Sequence, residues 1–251
     1  QYGRIAGQVN AIVAMGKLGS REMTASSELD LILLYDFDSE RPDSDGARPL
    51  HGAQYFARFT QRLISAFTTR TNYGVLYDVD MRLRPSGRAG PVASHIDSFA
   101  DYQDNEAWTW EHMALTRAQV ISSSPEFGAR IERVIRDVLT RPRDAGLTAN
   151  DVAEMRRAIA LEKGEDDIWD LKYAAGGMVD IDFIAQYLQL IHAADKPDIL
   201  SVNTQQALDN AQRLGILSLP DAEILRPATR LYHDLTQILR LCVSDKFKPG
   251  T

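Results

Sequence analysis

Two carboxylates flank a single apolar residue at Glu28-Leu29-Asp30, where the extended-looking segment Leu29 to Leu34 (LDLILL) begins. Side chains alternate along an extended chain, so Glu28 and Asp30 project from one face, about 7 Å apart by strand rise. Charges that close repel each other unless a cation lies between them. A hard divalent ion with oxygen ligands, such as Mg2+, is the natural occupant. A third acid, Asp80, stands in the alternating stretch Gly74 to Leu83 (GVLYDVDMRL), and three carboxylates would allow two metals roughly 4 Å apart. Such a pair activates an attacking hydroxyl and neutralises charge on a nucleoside triphosphate. Upstream, Gly16 leaves room for a phosphate to approach backbone N–H groups at the start of a helix. Taken alone, an acid-x-acid pair is better explained by a loop residue beside a surface residue on an edge strand. Here it follows a strand-glycine-helix unit and has a third acid downstream, and that combination favours a metal site.

Holding these residues in place requires a particular set of elements. Ala11 to Met15 is a short apolar run ending at Gly16, which fits a buried strand entering a tight turn. A helix-compatible segment, Leu18 to Thr24, leads to the second strand, whose one charged residue is Asp30. Arg41 to Pro49 (RPDSDGARP) has the composition of an exposed loop. Between Gln54 and Phe67, the four-residue spacing of Tyr55, Phe59, Leu63 and Phe67 predicts one apolar helical face. From Gly74 to Leu83, strand alternation puts Val75, Tyr77, Val79, Met81 and Leu83 on one face, opposite Asp78, Asp80 and Arg82. Beyond Ser94 helix formers dominate. Helices are expected over 98–121, 125–139, 150–163, 178–193, 204–214 and 220–243, with Asn150 as an N-cap before Asp151 and Glu154. Pro220 and Asp221 open the last of them, and Arg141 to Gly146 (RPRDAG) reads as a linker. The outline is a domain of strands and helices followed by a helical one.

Composition narrows the functional classes. Of 251 residues, 44% are apolar, enough for a sizeable core. The net charge of −7 argues against binding a nucleic-acid backbone or an anionic membrane, since both demand an electropositive face. The longest apolar run, Leu31 to Tyr35, is far too short to span a bilayer. A single cysteine, Cys242, excludes an internal disulfide framework and suggests a reducing, cytoplasmic setting. The five histidines (His51, His95, His112, His192 and His233) lack zinc-ligand spacing. No Walker loop, nucleophile elbow or dinucleotide fingerprint is present. The start at Gln1 and the abrupt end after Lys246-Phe247-Lys248 read as a piece of a longer protein.

The order Gly16-Lys17, then Glu28-Leu29-Asp30, then Asp80 resembles the polymerase-beta-like nucleotidyltransferases. More closely, GKLGSREMTASSELDLILLYD, VLYDVDMRLRPSGRAGPVA and EAWTWEHMALTRAQV look like the glutamine synthetase adenylyltransferase family, and WDLKYAAGGMVDIDFIAQYLQL is similar to its helical region. The resemblance implies an α+β fold. Residues 1–122 would form a nucleotidyltransferase domain with a small mixed sheet, and 123–251 an all-α bundle truncated at its C-terminus. Members of that family carry an adenylylating half and a half that removes adenylyl groups by phosphorolysis. NEAWTWEHMALTRA and GGMVDIDF look like the adenylylating, C-terminal half, because the removing half usually has Arg-Glu where Val179-Asp180 stand.

The implied reaction is transfer of AMP from ATP to a tyrosine hydroxyl of glutamine synthetase, releasing pyrophosphate, with the PII signalling protein as a regulatory partner of the full-length enzyme. Glu28, Asp30 and Asp80 would hold two Mg2+, and Asp80 would help orient or deprotonate the tyrosine, whose ordinary pKa is near 10. The family usually has Asp at the position of Glu28, and Glu at that of Asp182. A displaced carboxylate can cost about a hundredfold in rate, so an impaired nucleotide-binding or docking fragment is an alternative reading. The removing half is another.

Several further residues carry two readings each. Arg82, Arg84 and Arg88 could neutralise the β- and γ-phosphates or balance Asp78 and Asp80. Lys17 could reach a phosphate or be a surface lysine, and Ser27 could contact phosphate or form a turn. Trp108 and His112, four apart, fit a core stripe, with base stacking as the lesser reading. Asp170, Lys172 and the turn from Gly176 to Asp182 fit a wall of the nucleotide cleft, with helix capping by Asp180 as the simpler reading.

Overall fold

Val9–Ala14 forms strand β1 and Leu29–Asp36 forms β2, paired antiparallel from Val9↔Asp36 to Ala14↔Leu31. The computed structural model describes residues 1–24, 27–72, 74, 77–164 and 166–242. The run Leu31 to Tyr35 is buried throughout, as expected of a strand covered on both faces, and Asp30 lies at its open end. Val79–Asp80 (β3) and Ser94–His95 (β4) both pair parallel with β2, while Gln119–Ser122 (β5) pairs antiparallel with β1 across a bulge between Ile12 and Val13. Among the described residues this gives one small mixed sheet in the order β3-β2-β1-β5, with β4 also against β2. The expected α+β composition is what the structure has.

Helix α1 is the single turn Gly16–Gly19. It does not continue to Thr24, because Arg21 adopts a left-handed φ of 61° that no helix tolerates. Helix α2 (Gly52–Thr68) packs on the sheet with part of the predicted face, Tyr55 and Leu63, and with the adjoining side that carries Phe56. Gly52, Phe56 and Thr60 are buried, whereas Phe59 and Phe67 are exposed. The difference comes from Tyr35, whose ring stacks on Phe56 with centroids 4.3 Å apart and so turns that side of the helix inward. Leu33, Tyr35, Phe56, Met81 and Ala93 form the resulting cluster, with Leu63, Ile64 and Val79 around it.

The long helix predicted over 98–121 is three elements. Ile96–Asn105 (α3) ends where Glu106 and Ala107 both donate to the Tyr102 carbonyl, Thr109–Leu115 (α4) follows, and β5 takes the rest. Val120 and Gln119 are drawn into the ladder by β1, a long-range pairing that local propensity does not encode. Pro125–Leu139 is α5. The predicted linker contains the start of α6 (Ala145–Lys163), because Asp144, not Asn150, is the N-cap and accepts the Leu147 N–H at 2.8 Å. Met178–His192 (α7), Thr204–Arg213 (α8) and Leu219–Cys242 (α9) complete the helices, and Val243 lies outside the described residues.

The chain divides into two compact units. One comprises Gln1–Gly19, Ser27–Ala107 and Ala118–Val138 and holds the sheet. The other comprises Ser20–Ser26, Trp108–Arg117 and Leu139–Thr251. In the second unit Ile181, Ala185, Ala207 and Leu208 of α7 and α8 pack with Leu225, Ala228 and Tyr232 of α9. No helix among the described residues is long and apolar enough to cross a membrane.

Candidate functional site: carboxylates at the β2–β3 edge

The parallel β2–β3 pair is two residues long, Leu29↔Val79 and Asp30↔Asp80, preceded by a 2.7 Å bond from the Leu29 N–H to the Asp78 carbonyl. This register sets Asp30 directly beside Asp80. Adjacent strands are about 4.8 Å apart, and paired residues share a face. Glu28, immediately before β2, joins them, because its carboxylate lies 3.6 Å from the same Arg82 terminal nitrogen that contacts Asp80. The three acids proposed from the sequence therefore gather at one sheet edge. The predicted strand from Gly74 to Leu83 is only this two-residue rung, and Val75 lies outside the described residues. Alternation stops after Asp80 because the Arg82 N–H donates to Asp80 Oδ1 at 2.7 Å, turning the chain.

Gly16 belongs to the same place. The Met15 N–H donates to the Asp30 carbonyl at 2.9 Å, and a Cβ built on Gly16 would lie 2.5 Å from Asp30 Oδ2. Gly16 has a left-handed φ of 51°, so both its backbone and its lack of a side chain are required here. Lys17 follows in α1 and Ser27 precedes Glu28, each partly buried.

Arg82 sits among the acids. Its Nε donates to Asp80 Oδ2 at 2.6 Å, a terminal nitrogen makes a shorter contact with the same oxygen, and that nitrogen lies 3.6 Å from Glu28 Oε2. Desolvation pushes the Asp80 carboxyl upward. Hydrogen bonds from the Arg82 side chain and backbone and the guanidinium charge outweigh it and hold Asp80 below the ordinary carboxylate range. Arg82 in turn lies above the usual arginine value, through its bond to Asp80 and then through the fields of Asp80, Glu28 and Asp30. The sequence offered Arg82 as a balance for Asp78 and Asp80. The partners found are Asp80 and Glu28, and Glu28 could be found only from the strand register.

Arg84 has a different setting. Its guanidinium donates to the carbonyls of Met81 (2.7 Å), Pro91 (3.0 Å) and Gly90 (3.3 Å), closing the loop after β3. Among the described residues no group of three or more His, Cys, Asp and Glu side chains forms a ready metal-ligand set. The donor chemistry nevertheless fits a hard cation. Three oxygen-bearing acids meet at this edge, and the charge now among them is the Arg82 guanidinium, a cation already standing where opposite charge is demanded.

The second unit holds the other residues singled out in the sequence. Trp108 is 72% exposed and Trp110 is 42% exposed, while Glu111, Met113 and Leu115 are buried, so the Trp108–His112 stripe does not form. The cause is that α4 begins only after Trp108, whose N–H is held by Glu111 Oε2 at 2.9 Å. Asp180 is not the cap of α7. Gly177 is, and Asp180 accepts the Gly176 N–H at 2.6 Å and pairs with Arg156. Asp182 pairs with Arg117 and accepts from Thr204 Oγ at 2.9 Å. Asp170 Oδ1 accepts the Tyr173 N–H at 3.2 Å, and Lys172 Nζ lies 4.8 Å from the centre of the Tyr173 ring. Local spacing carries no signal for the Arg117 and Arg156 pairings, which join segments far apart in sequence.

A small mixed sheet with acids at the entrance of adjacent parallel strands, flanked by helices, is compatible with a nucleotidyltransferase-like domain. A family model described as glutamate-ammonia ligase adenylyltransferase matches residues 4–134, which include every candidate site residue named above in the sheet unit. The chain belongs to this family. A second model, described as GlnD PII-uridylyltransferase, matches residues 148–246. Among similar curated proteins, the bifunctional glutamine synthetase adenylyltransferase/adenylyl-removing enzyme of Rhodopseudomonas palustris (strain HaA2) is 81% identical over the whole chain. The proteins of the same name from Bradyrhizobium diazoefficiens and Xanthobacter autotrophicus are 79% identical over 100% and 60% identical over 99% of it. The chain spans about a quarter of the length of these relatives (25% of each).

Proposed function

We propose that this chain carries a Mg2+-dependent adenylyltransferase site that moves AMP from ATP to a tyrosine hydroxyl of glutamine synthetase. The observation that carries the reading is the Asp30↔Asp80 pairing, with Glu28 and Asp80 on one Arg82 guanidinium, in a chain whose relatives are named for adenylyl transfer and removal. In this reading the nucleotidyltransferase domain spans residues 1–122 and the helical domain 123–251, although the compact units interleave, with 108–117 in the helical unit and 123–138 in the sheet unit.

In this reading Glu28, Asp30 and Asp80 hold two Mg2+, which supply charge neutralisation on the triphosphate. Asp80, a carboxylate ionised at neutral pH, would orient the incoming hydroxyl or take up its proton. The tyrosine O–H bond breaks, its proton passing to Asp80 and on to solvent, while the oxygen forms a bond to the α-phosphorus; the bond from that phosphorus to the bridging oxygen of the β-phosphate breaks, and pyrophosphate leaves. Gly16 keeps the backbone open to phosphate, Lys17, Ser27 and Arg82 contact the nucleotide, and Arg84 contributes through the loop it holds. The match of residues 148–246 to a PII-uridylyltransferase model supports PII as a partner of the longer protein. The acidic balance and the absence of a membrane-crossing helix among the described residues support a cytoplasmic protein with no nucleic-acid or membrane partner.

Purified glutamine synthetase, α-labelled ATP and Mg2+ test this directly, and label in the synthetase is the expected result. Because the relatives' name also includes adenylyl removal, the second reading is phosphorolysis. Phosphate-dependent release of ADP from modified synthetase, without incorporation, would assign the chain to that half. Neither activity would favour a docking fragment.

A further inference from the structure

We propose that Arg82 is a built-in counter-cation, a positioning residue that holds the acids at the β2–β3 edge in the metal-free chain and must give up Asp80 when divalent cations enter. The inference rests on the carboxylates being the metal site proposed above.

The geometry is specific. The turn that ends β3 is closed by the Arg82 N–H on Asp80 Oδ1 (2.7 Å), which directs the side chain back over its own anchor. Nε then lies 2.6 Å from Asp80 Oδ2, and a terminal nitrogen bridges that oxygen toward Glu28 at 3.6 Å. Both oxygens of Asp80 are thus engaged by one residue. A cation needing an Asp80 oxygen competes with the guanidinium for the same lone pairs, and the two positive charges repel at contact distance. Without Arg82, Asp80 and Glu28 lose the cation that touches both. With it, the cluster is prearranged but its apparent affinity for metal is reduced by the fraction of molecules in which the guanidinium is in place. A merely structural arginine predicts the opposite sign, because its loss would let the ligands splay and weaken binding.

Titration of the whole chain with Mn2+ alone, followed by calorimetry or electron paramagnetic resonance, separates the two. Arg82→Ala is expected to bind Mn2+ at least about threefold tighter than the parent. Its metal-free thermal midpoint should fall, and saturating Mn2+ should recover most of the loss. Arg82→Lys, which keeps the charge but not the planar fork, should shift affinity in the same direction by less, and it serves if the alanine variant does not fold. Unchanged or weaker Mn2+ binding in both variants, with binding lost in Asp30→Asn, would overturn the role of Arg82 alone. Parent-like binding in Asp30→Asn would instead overturn the metal-site reading on which it rests.

Discussion

Asp30 and Asp80 are direct register partners across the parallel β2–β3 rung, although all of α2 lies between them in sequence. Two like charges about 4.8 Å apart by strand spacing are unfavourable without a cation. Asp30→Asn and Asp80→Asn should therefore each lower AMP incorporation by at least about a hundredfold, since even residues one shell further from a metal cost ten- to a hundredfold. Neither variant should unfold in the absence of Mg2+: Asp30→Asn removes one of two neighbouring like charges, while Asp80→Asn gives up the charge pair with Arg82 and should lower the melting point modestly. Labelling from α-labelled ATP and a metal-free melt check both statements. Full labelling by Asp30→Asn would remove the basis of the site.

Glu28 stands one methylene longer than the aspartate the family resemblance implies, and from just outside β2 it shares the Arg82 guanidinium with Asp80. Glu28→Asp is expected to keep or raise the rate of AMP transfer at saturating Mg2+. A drop of more than about tenfold, roughly 1.4 kcal/mol of barrier, would mean that this site is built around the longer side chain.

Gly16 combines a φ of 51° with a Cβ position 2.5 Å from Asp30 Oδ2. Gly16→Ala must strain the backbone or displace that carboxylate. Left-handed backbone alone costs about 1–2 kcal/mol for a residue with a Cβ. Urea unfolding should show a loss of at least that size, and AMP transfer should fall with it. Gly74 is a fitting control: it too has a positive φ, of 97°, but an added Cβ there meets nothing within 4 Å among the described residues. Gly74→Ala should cost stability without the loss of transfer.

Burial raises the Tyr35 phenol above its ordinary value. Its proton is therefore kept by the folded chain while the unfolded chain ionises, near pH 10. The native state then binds more protons, so this contribution to stability is fully present below that pH and declines as pH rises from there toward the folded value. Tyr35→Phe keeps the stack on Phe56 and removes the ionisation. Its urea midpoint should match the parent's at pH 8 and exceed it at pH 11. Identical alkaline profiles would show that Tyr35 does not titrate differently in the two states.

The acid-x-acid pair, the glycine before it and the third acid downstream were visible in the amino-acid order, because strand alternation and glycine's backbone freedom are local properties. So were β1, β2 and most helices of the second half, whose apolar runs and periodicity need no partner to be read. The rest depended on contacts between distant segments. Tyr35 selected which side of α2 is buried. Pairing with β1 drew Gln119–Ser122 out of a helical stretch into β5, and Asp144 started α6 inside what reads as a linker. The register of β3 on β2 could not be read from either strand alone, and it alone decided that Arg82 would lie between Asp80 and Glu28. Sequence sets what each residue can do through its chemistry and its nearest neighbours. Tertiary packing sets which charges meet, because that energy depends on separations in space that the chain order does not contain.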